Sequence, residues 1–263
     1  MDMEYQETII EKTPEMVSRQ DEARCLGREA PVLPVAGKSE KVLVQQGEGT
    51  RRRLGYQYFK GIADRFLAAL LTIVLSPLLA FIAVATRLDS PGGALFRQER
   101  VGKDGRRFTA YKFRTMLVDN SDREYKTYLR KYILENAPYQ VDQNGQAVYK
   151  VIGDPRVTKF GAILRKSNLD ELPQLFNILK GDMSFVGPRP DIPFAVEMYQ
   201  DWQRKRLSVT PGITGLWQVY GRKGLCFEDM VRLDLDYINR QSALLDARIL
   251  LLTIRTVLSG DGS

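Results

Sequence analysis

Two carboxylates in a row, Asp170 and Glu171, are followed after a short apolar segment by an arginine held between two prolines, Pro188-Arg189-Pro190. These side chains suit phosphate chemistry. A carboxylate can attack phosphorus or hold a metal ion, and a guanidinium matches phosphate oxygens two at a time. The prolines restrict the backbone of Arg189, a preorganisation that an ordinary surface arginine does not need. Leu172, Leu175, Phe176 and Leu179 recur at helical spacing. That spacing predicts a short helix with one apolar face, opened by the carboxylate pair. Pro173 is tolerated in a first turn, and Gly181 can take the left-handed conformation that ends a helix. Asp170 then falls at or near the N-cap, where the helix dipole favours its ionised form and attracts an incoming phosphate. An acid at a helix start can also be a plain cap, so the pair gains meaning only from the rest of the chain.

Further cations accompany it. Lys112, Arg114, Arg165, Arg189 and Arg222 can converge on one anionic ligand, although each alone, Arg189 excepted, reads as a solvated surface charge. Lys112 and Arg114 sit in an alternating stretch, Phe108 to Met116, that reads as a strand. Ala94-Leu95-Phe96 reads as another, with Gly102-Lys103-Asp104-Gly105 as the turn between them. Residues 119–135 read as a charged helix, and 136–150 as a polar hairpin turning at Asn144-Gly145. Val157 to Leu164 leads into the Asp170 helix. A helix is expected from Pro190 to about Arg206, then an irregular loop over Pro211–Gly215. Amphipathic helices follow over 227–240 and 246–258. The apolar face of the last one can lie on a membrane interface or pack on the core.

Composition narrows the chemistry. The 263 residues carry a net charge of +7 and include no histidine. Serine or cysteine triads and histidine metal sites are therefore excluded. Two distant cysteines, Cys25 and Cys226, make neither a disulfide framework nor a zinc site. A metal here would be a hard ion held by oxygen, such as magnesium. Residues 1–55 hold 10 acids and 9 bases, so the positive excess lies after them. That stretch reads as a disordered polar tail with a short helix near 14–25, and not as a signal peptide, since its start is acidic and lacks an apolar core.

Phe66 to Thr86 is a run of 21 residues without a charge. As one helix it would measure roughly 30 Å, enough to cross a bilayer core. Ser76-Pro77 interrupts its centre: Pro77 forces a kink, and the Ser76 hydroxyl can satisfy a freed backbone group. Basic residues stand on both sides, Arg51 to Arg65 before and Arg87 to Arg107 after. Positive flanks mark the cytoplasmic side, so a helix that enters, bends and leaves by one face satisfies both. A Pro-kinked spanning helix and a buried core helix remain alternatives.

From about Gly55 to Ser263 the chain resembles the bacterial sugar transferases, the monotopic phosphoglycosyl transferases. The matching pieces are Leu75-Ser76-Pro77, Tyr111 to Met116, Leu169 to Leu175, Gly181 to Pro190, Pro211 to Val219, and Leu244-Leu245-Asp246. The resemblance implies transfer of a sugar-1-phosphate from a UDP-hexose to undecaprenyl phosphate with release of UMP, opening exopolysaccharide, capsule or O-antigen assembly. It implies Asp170 as the covalent nucleophile and a metal ligand, and Glu171 as an aid to metal or proton transfer. It further implies a Mg2+ requirement and substrate roles for Lys112, Arg189, Arg222 and Asp246. The Ser76-Pro77 break would be that of a re-entrant helix, which puts the protein in the bacterial inner membrane with its catalytic domain on the cytoplasmic face. Inner-membrane lipid and downstream glycosyltransferases would be partners, and nucleic acid would not. Gly215-Leu216-Trp217-Gln218-Val219 resembles members that use glucose or galactose. Tyr220-Gly221-Arg222-Lys223-Gly224 departs from the usual pattern.

The fold expected is α+β and mainly helical. A polar tail (1–55) and a re-entrant membrane helix hairpin (56–87) precede a compact cytosolic catalytic domain with interfacial amphipathic helices (88–263). Two rival functions remain: a membrane-anchored glycosyltransferase that releases UDP, and a non-enzymatic membrane module that binds anionic ligands.

Overall fold

The computed structural model describes residues 48–117, 123–141, 147–149, 154–221 and 225–258. The polar stretch 1–47 with its expected short helix, the Asn144-Gly145 turn and Arg222 lie outside the described residues. The described part is mainly helical α+β, with three two-stranded sheets.

Helix α1 (Glu48–Val74) runs into α2 (Ser76–Asp89) through a bend of 65°. It begins upstream of Gly55, inside the stretch expected to be a tail. Pro77 falls in the first turn of α2, where a missing N–H is tolerated. The carbonyl of Ile73, which Pro77 cannot partner, accepts from Ser76 Oγ at 2.8 Å. Among the described residues no single helix is long and apolar enough to cross a bilayer, whereas the bent pair is so by length and composition. One side of each helix is packed. Ala68 and Leu71 of α1, with Leu75 at the bend, meet Leu175, Ile178 and Met183, and Ile82 of α2 meets Phe113 and Leu164. The other side leaves Phe66, Ile73, Phe81 and Val84 exposed.

Strands β1 (Leu95–Val101) and β2 (Arg107–Phe113) pair antiparallel across a short turn, Lys103–Gly105, where the sequence predicts it. Helix α3 (Arg123–Glu135) and the antiparallel pair β3 (Gln140–Val141) and β4 (Ala147–Val148) follow. Helix α4 (Lys159–Ser167) is N-capped by Thr158 and stops at Asn168 in the left-handed conformation, φ 55°. A 3-10 helix, Leu169–Gln174, starts there and passes into α5 (Leu175–Lys180), which Gly181 ends at φ 85°.

The expected helix is met in one respect and corrected in another. Asn168 takes the N-cap as the chain reverses out of α4, and Asp170 follows two residues on, in the first turn and so near the cap as expected. The tighter 3-10 turns shift the phase of the apolar face. The buried side is Pro173, Leu175 and Ile178, and Phe176 is 41% exposed.

The irregular loop expected at Pro211–Gly215 is in fact strand β6 (Gly212–Thr214). It pairs parallel with β5 (Ser184–Val186). The strands cross so closely at the β5 end that a Cβ on Gly212 would lie 2.1 Å from the Gly187 nitrogen. Between them the single helix expected from Pro190 is broken into α6 (Pro193–Glu197), α7 (Asp201–Arg204) and a 3-10 turn, Lys205–Ser208. Gln200 and Gln203 form a capping box that restarts the chain as α7. Helices α8 (Leu216–Tyr220), α9 (Phe227–Arg240) and α10 (Ala243–Leu258) complete the chain. Helix α10 buries Ile249 against Val186, Leu216 and Tyr237 and leaves Leu244, Leu251 and Ile254 exposed, so it packs on the core with one side only.

Candidate active site

The 3-10 helix lies against β2, and a buried amide fixes the two together. Asn177 of α5 accepts from the Tyr111 N–H at 3.1 Å and donates to the Thr109 carbonyl at 2.7 Å. Asn177 has no exposed surface, so both bonds form away from water. The sequence reading passes over this residue. Its one signal is an amide inside the apolar stretch Leu175-Phe176-Asn177-Ile178-Leu179.

That docking puts Lys112 of β2 on the carboxylate pair. Lys112 Nζ donates to Glu171 Oε1 at 2.7 Å. Arg189 donates to the same carboxylate from both amino groups, Nη2 to Oε1 at 2.5 Å and Nη1 to Oε2 at 3.3 Å. Burial acts to raise the Glu171 carboxyl, but Arg189 and Lys112 outweigh it and hold the group well below the usual carboxylate range. Glu171 is thus a fixed anion locking two cations in place.

Asp170 is its opposite. It is 9% exposed, and among the described residues no hydrogen bond or ion pair reaches its carboxylate. Burial pushes its carboxyl up, and Lys112, Arg189 and Arg165 offset this only in part. The result is a carboxylate with uncommitted lone pairs and raised basicity in a cationic surround, the properties a nucleophile needs. Among the described residues no group of three or more cysteines, aspartates and glutamates forms a metal cage. A magnesium ion does not require one. It keeps several waters and uses one or two carboxylates together with substrate phosphates. Asp170, lacking a protein partner, fits that demand, and Glu171, already bonded to two cations, fits it less well.

The remaining expected residues divide. Arg165 stands near Asp170 and donates from Nε to Thr115 Oγ1 at 3.0 Å. Arg114 is not with them. Strand β2 ends at Phe113, and the Arg114 guanidinium turns into the bend that follows α2. There it donates to the carbonyls of Thr86, Ser90, Pro91 and Gly93 and to Ser90 Oγ. The Arg114 side chain, itself buried, closes the end of α2 and the turn after it with these bonds, so Arg114 is a structural tie. Asp246 is also elsewhere. It accepts from Tyr237 Oη and Tyr56 Oη, each at 2.8 Å, and from Lys60, joining α10 and α9 to α1. A cavity of about 190 Å³ lined by Lys60, Asp64, Arg65 and Ser184 lies between α1 and β5 and includes neither Asp170 nor Glu171.

Comparison with known proteins agrees with this arrangement of motifs. Residues 55–260 match the bacterial sugar transferase family. A galactosyl transferase, CpsE, of Streptococcus agalactiae is 42% identical over 212 residues, covering 79% of this chain and 45% of that protein. A UDP-glucose:undecaprenyl-phosphate glucose-1-phosphate transferase of Xanthomonas campestris is 37% identical over 231 residues, 84% of this chain and 43% of that one. The exopolysaccharide production protein ExoY of Sinorhizobium fredii is 37% identical over 200 residues, 76% of this chain and 85% of that one. The chain spans about half the length of the first two. With a match that runs from α1 to beyond α10 and includes the Asp170-Glu171 pair, the chain belongs to the bacterial sugar transferase family.

Proposed function

We propose that this chain transfers a hexose-1-phosphate, glucose or galactose, from a UDP-sugar to undecaprenyl phosphate, with Asp170 as covalent nucleophile and UMP as leaving group. The observation that carries this reading is the asymmetry of the carboxylate pair: Glu171 clamped by Lys112 and Arg189, Asp170 beside it without a bonded partner among the described residues. In the first step an Asp170 carboxylate oxygen bonds to the phosphorus that bears the sugar. The bond from that phosphorus to the bridging oxygen breaks, and UMP departs with the oxygen and its electron pair. In the second step an oxygen of undecaprenyl phosphate attacks the same phosphorus, the bond to Asp170 breaks, and the carboxylate is restored. Two half-reactions let a soluble nucleotide sugar and a lipid use one site in turn.

Lys112 and Arg189 meet the charge on the transferred phosphoryl group, and Glu171 keeps both aimed while they wait. Magnesium held by Asp170 and the substrate phosphates would supply further positive charge against the diphosphate. Arg165, held on Thr115 near Asp170, would add its positive charge to the field on the phosphates.

The bent pair α1–α2 is read as a re-entrant element. Its basic flanks and exposed apolar side suit a hairpin dipped into the cytoplasmic leaflet of the inner membrane, with the catalytic residues at the bilayer surface. The apolar side of α10 suits the same interface. The names of the Xanthomonas and Sinorhizobium relatives support a lipid-linked hexose destined for exopolysaccharide.

The test is nucleotide release from UDP-glucose and UDP-galactose by detergent-purified protein with undecaprenyl phosphate and magnesium. Wild type is expected to yield UMP and Asp170→Asn none. UDP in place of UMP would make it a plain glycosyltransferase, and no nucleotide from any donor would leave an anchored binding module.

A further inference from the structure

Four consecutive carbonyls around Arg189 are each held by a donor from a different place in the chain. The Pro188 carbonyl accepts from the Gly212 N–H at 2.9 Å, and that of Asp191 from the Val101 N–H at 2.8 Å. The Pro190 carbonyl accepts from Arg100 Nη1 at 2.9 Å. The Arg189 carbonyl itself accepts from Arg206 Nη2 at 3.1 Å. Two of the four tethers are therefore arginine side chains, neither of which belongs to the phosphate-handling group.

Arg206 is the more deeply placed, with 2% of its side chain exposed. Its Nη1 donates to Asp191 Oδ2 at 2.5 Å and to Tyr199 Oη at 2.8 Å, and its Nη2 pairs with Asp234 Oδ2 at 2.6 Å. Tyr199 donates in turn to Asp191. Burial pushes the Asp234 carboxyl up, to about 6, despite the adjacent guanidinium. Buried ion clusters of this kind return little net stability, because desolvation cancels much of the attraction. What this one yields is geometry: Arg206 grips the residue that carries the working guanidinium and the residue two positions on.

We infer that Arg206 is a positioning residue, which fixes the Arg189 guanidinium on Glu171 by holding the Arg189 carbonyl and the Asp191 carboxylate. Arg189 has only its side-chain torsions left to vary once its carbonyl and both neighbouring carbonyls are tied. A guanidinium displaced by even 1 Å from a phosphoryl group loses much of its effect on the transition state. The kinetic part of the inference rests on the proposed phosphoglycosyl transfer, and the geometric part does not.

The experiment uses the full-length protein in detergent with Arg206→Lys and two readouts. The first is the nitrogen-15 NMR signal of the Arg189 guanidinium, assigned by its loss in Arg189→Lys. In wild type, bonding to Glu171 should slow its proton exchange with water. In Arg206→Lys that protection should vanish while the far-ultraviolet circular dichroism stays unchanged. The second is UMP release, expected to fall about 10- to 100-fold in Arg206→Lys. In an Arg189→Lys background the same change should cost no further rate, since Arg206 would act only through Arg189. Intact protection in Arg206→Lys, or rate losses that multiply in the double variant, would overturn the inference. If wild type releases no UMP, the proposed function fails and the NMR signal still decides the positioning role. Should Arg206→Lys not fold, Tyr199→Phe, which removes one hydroxyl from Arg206 and keeps the ring, should weaken the same protection several-fold; unchanged protection there would overturn it equally.

Discussion

Asp170 and Glu171 are adjacent carboxylates with opposite electrostatic fates, and their substitution should separate stability from activity. Glu171 compensates Lys112 and Arg189, all three largely shielded from water. Glu171→Gln is expected to lower stability by about 3 kcal/mol, because two cations lose their counter-charge. Asp170 compensates nothing by a direct bond, and its burial is a cost. Asp170→Asn should therefore abolish UMP release and raise the unfolding free energy by about 1 kcal/mol. Urea unfolding of the two variants checks both signs, and equal destabilisation would mean that Asp170 is paired. At this scale much was legible. Residue type and the flanking prolines pointed to Asp170, Glu171 and Arg189, and strand alternation pointed to Lys112. Arg114 had the same alternation to recommend it, yet its side chain is taken by four turn carbonyls. Which carbonyls lack donors is decided by a turn 21 to 28 residues away, and no local pattern carries that information.

Among the elements, β5 and β6 bear most on the site, since the segment leaving β5 carries Arg189. Their parallel pairing depends on glycines at the crossing. Gly212→Ala would set a methyl group 2.1 Å from the Gly187 nitrogen, with no flexible atom to yield. It is expected to cost about 3 kcal/mol or more and to lower UMP release beyond what the loss of folded protein explains. Thermal unfolding and rate per folded molecule test this together. The bent pair α1–α2 makes a second prediction. If the pair re-enters, single cysteines introduced at Gly55 and Pro91, with Cys25 and Cys226 replaced by serine, should react with an impermeant thiol reagent from the same side of an oriented vesicle. Reaction from opposite sides would establish a spanning helix. Apolar spacing found most of the helices, and the Ser76-Pro77 break matched the observed bend. It failed where short-range capping overrides periodicity, at Asn168 and at Gln200. It also missed β6, whose three residues form a strand only because β5 lies alongside.

At the scale of the whole molecule, Asp246 joins the first and last of the described helices. It ties α1, through Tyr56 and Lys60, to Tyr237 of α9 from its own position on α10. Asp246→Asn should loosen α1 and α10 together, seen as faster amide hydrogen exchange in both, with a stability loss of about 2 kcal/mol. Exchange rising in α10 alone would refute the joint. Asp246→Asn should also lower UMP release through movement of α1 against α5, since α5 and the 3-10 helix that carries Asp170 are continuous. The sequence by itself determined the chemistry available: carboxylates, guanidiniums and amines without histidine, an apolar run broken by Ser76-Pro77, and the order of motifs that marks the family. These are properties of residue type and spacing, which survive any fold. Only the tertiary structure decided which carboxylate is bonded to Lys112 and Arg189, and that Arg189 lies at the pair whereas Arg114 is taken up after α2. It also decided that a buried Arg206 holds the Arg189 carbonyl and the Asp191 carboxylate. Those outcomes depend on which donors and acceptors meet across long separations, and burial makes each such meeting obligatory.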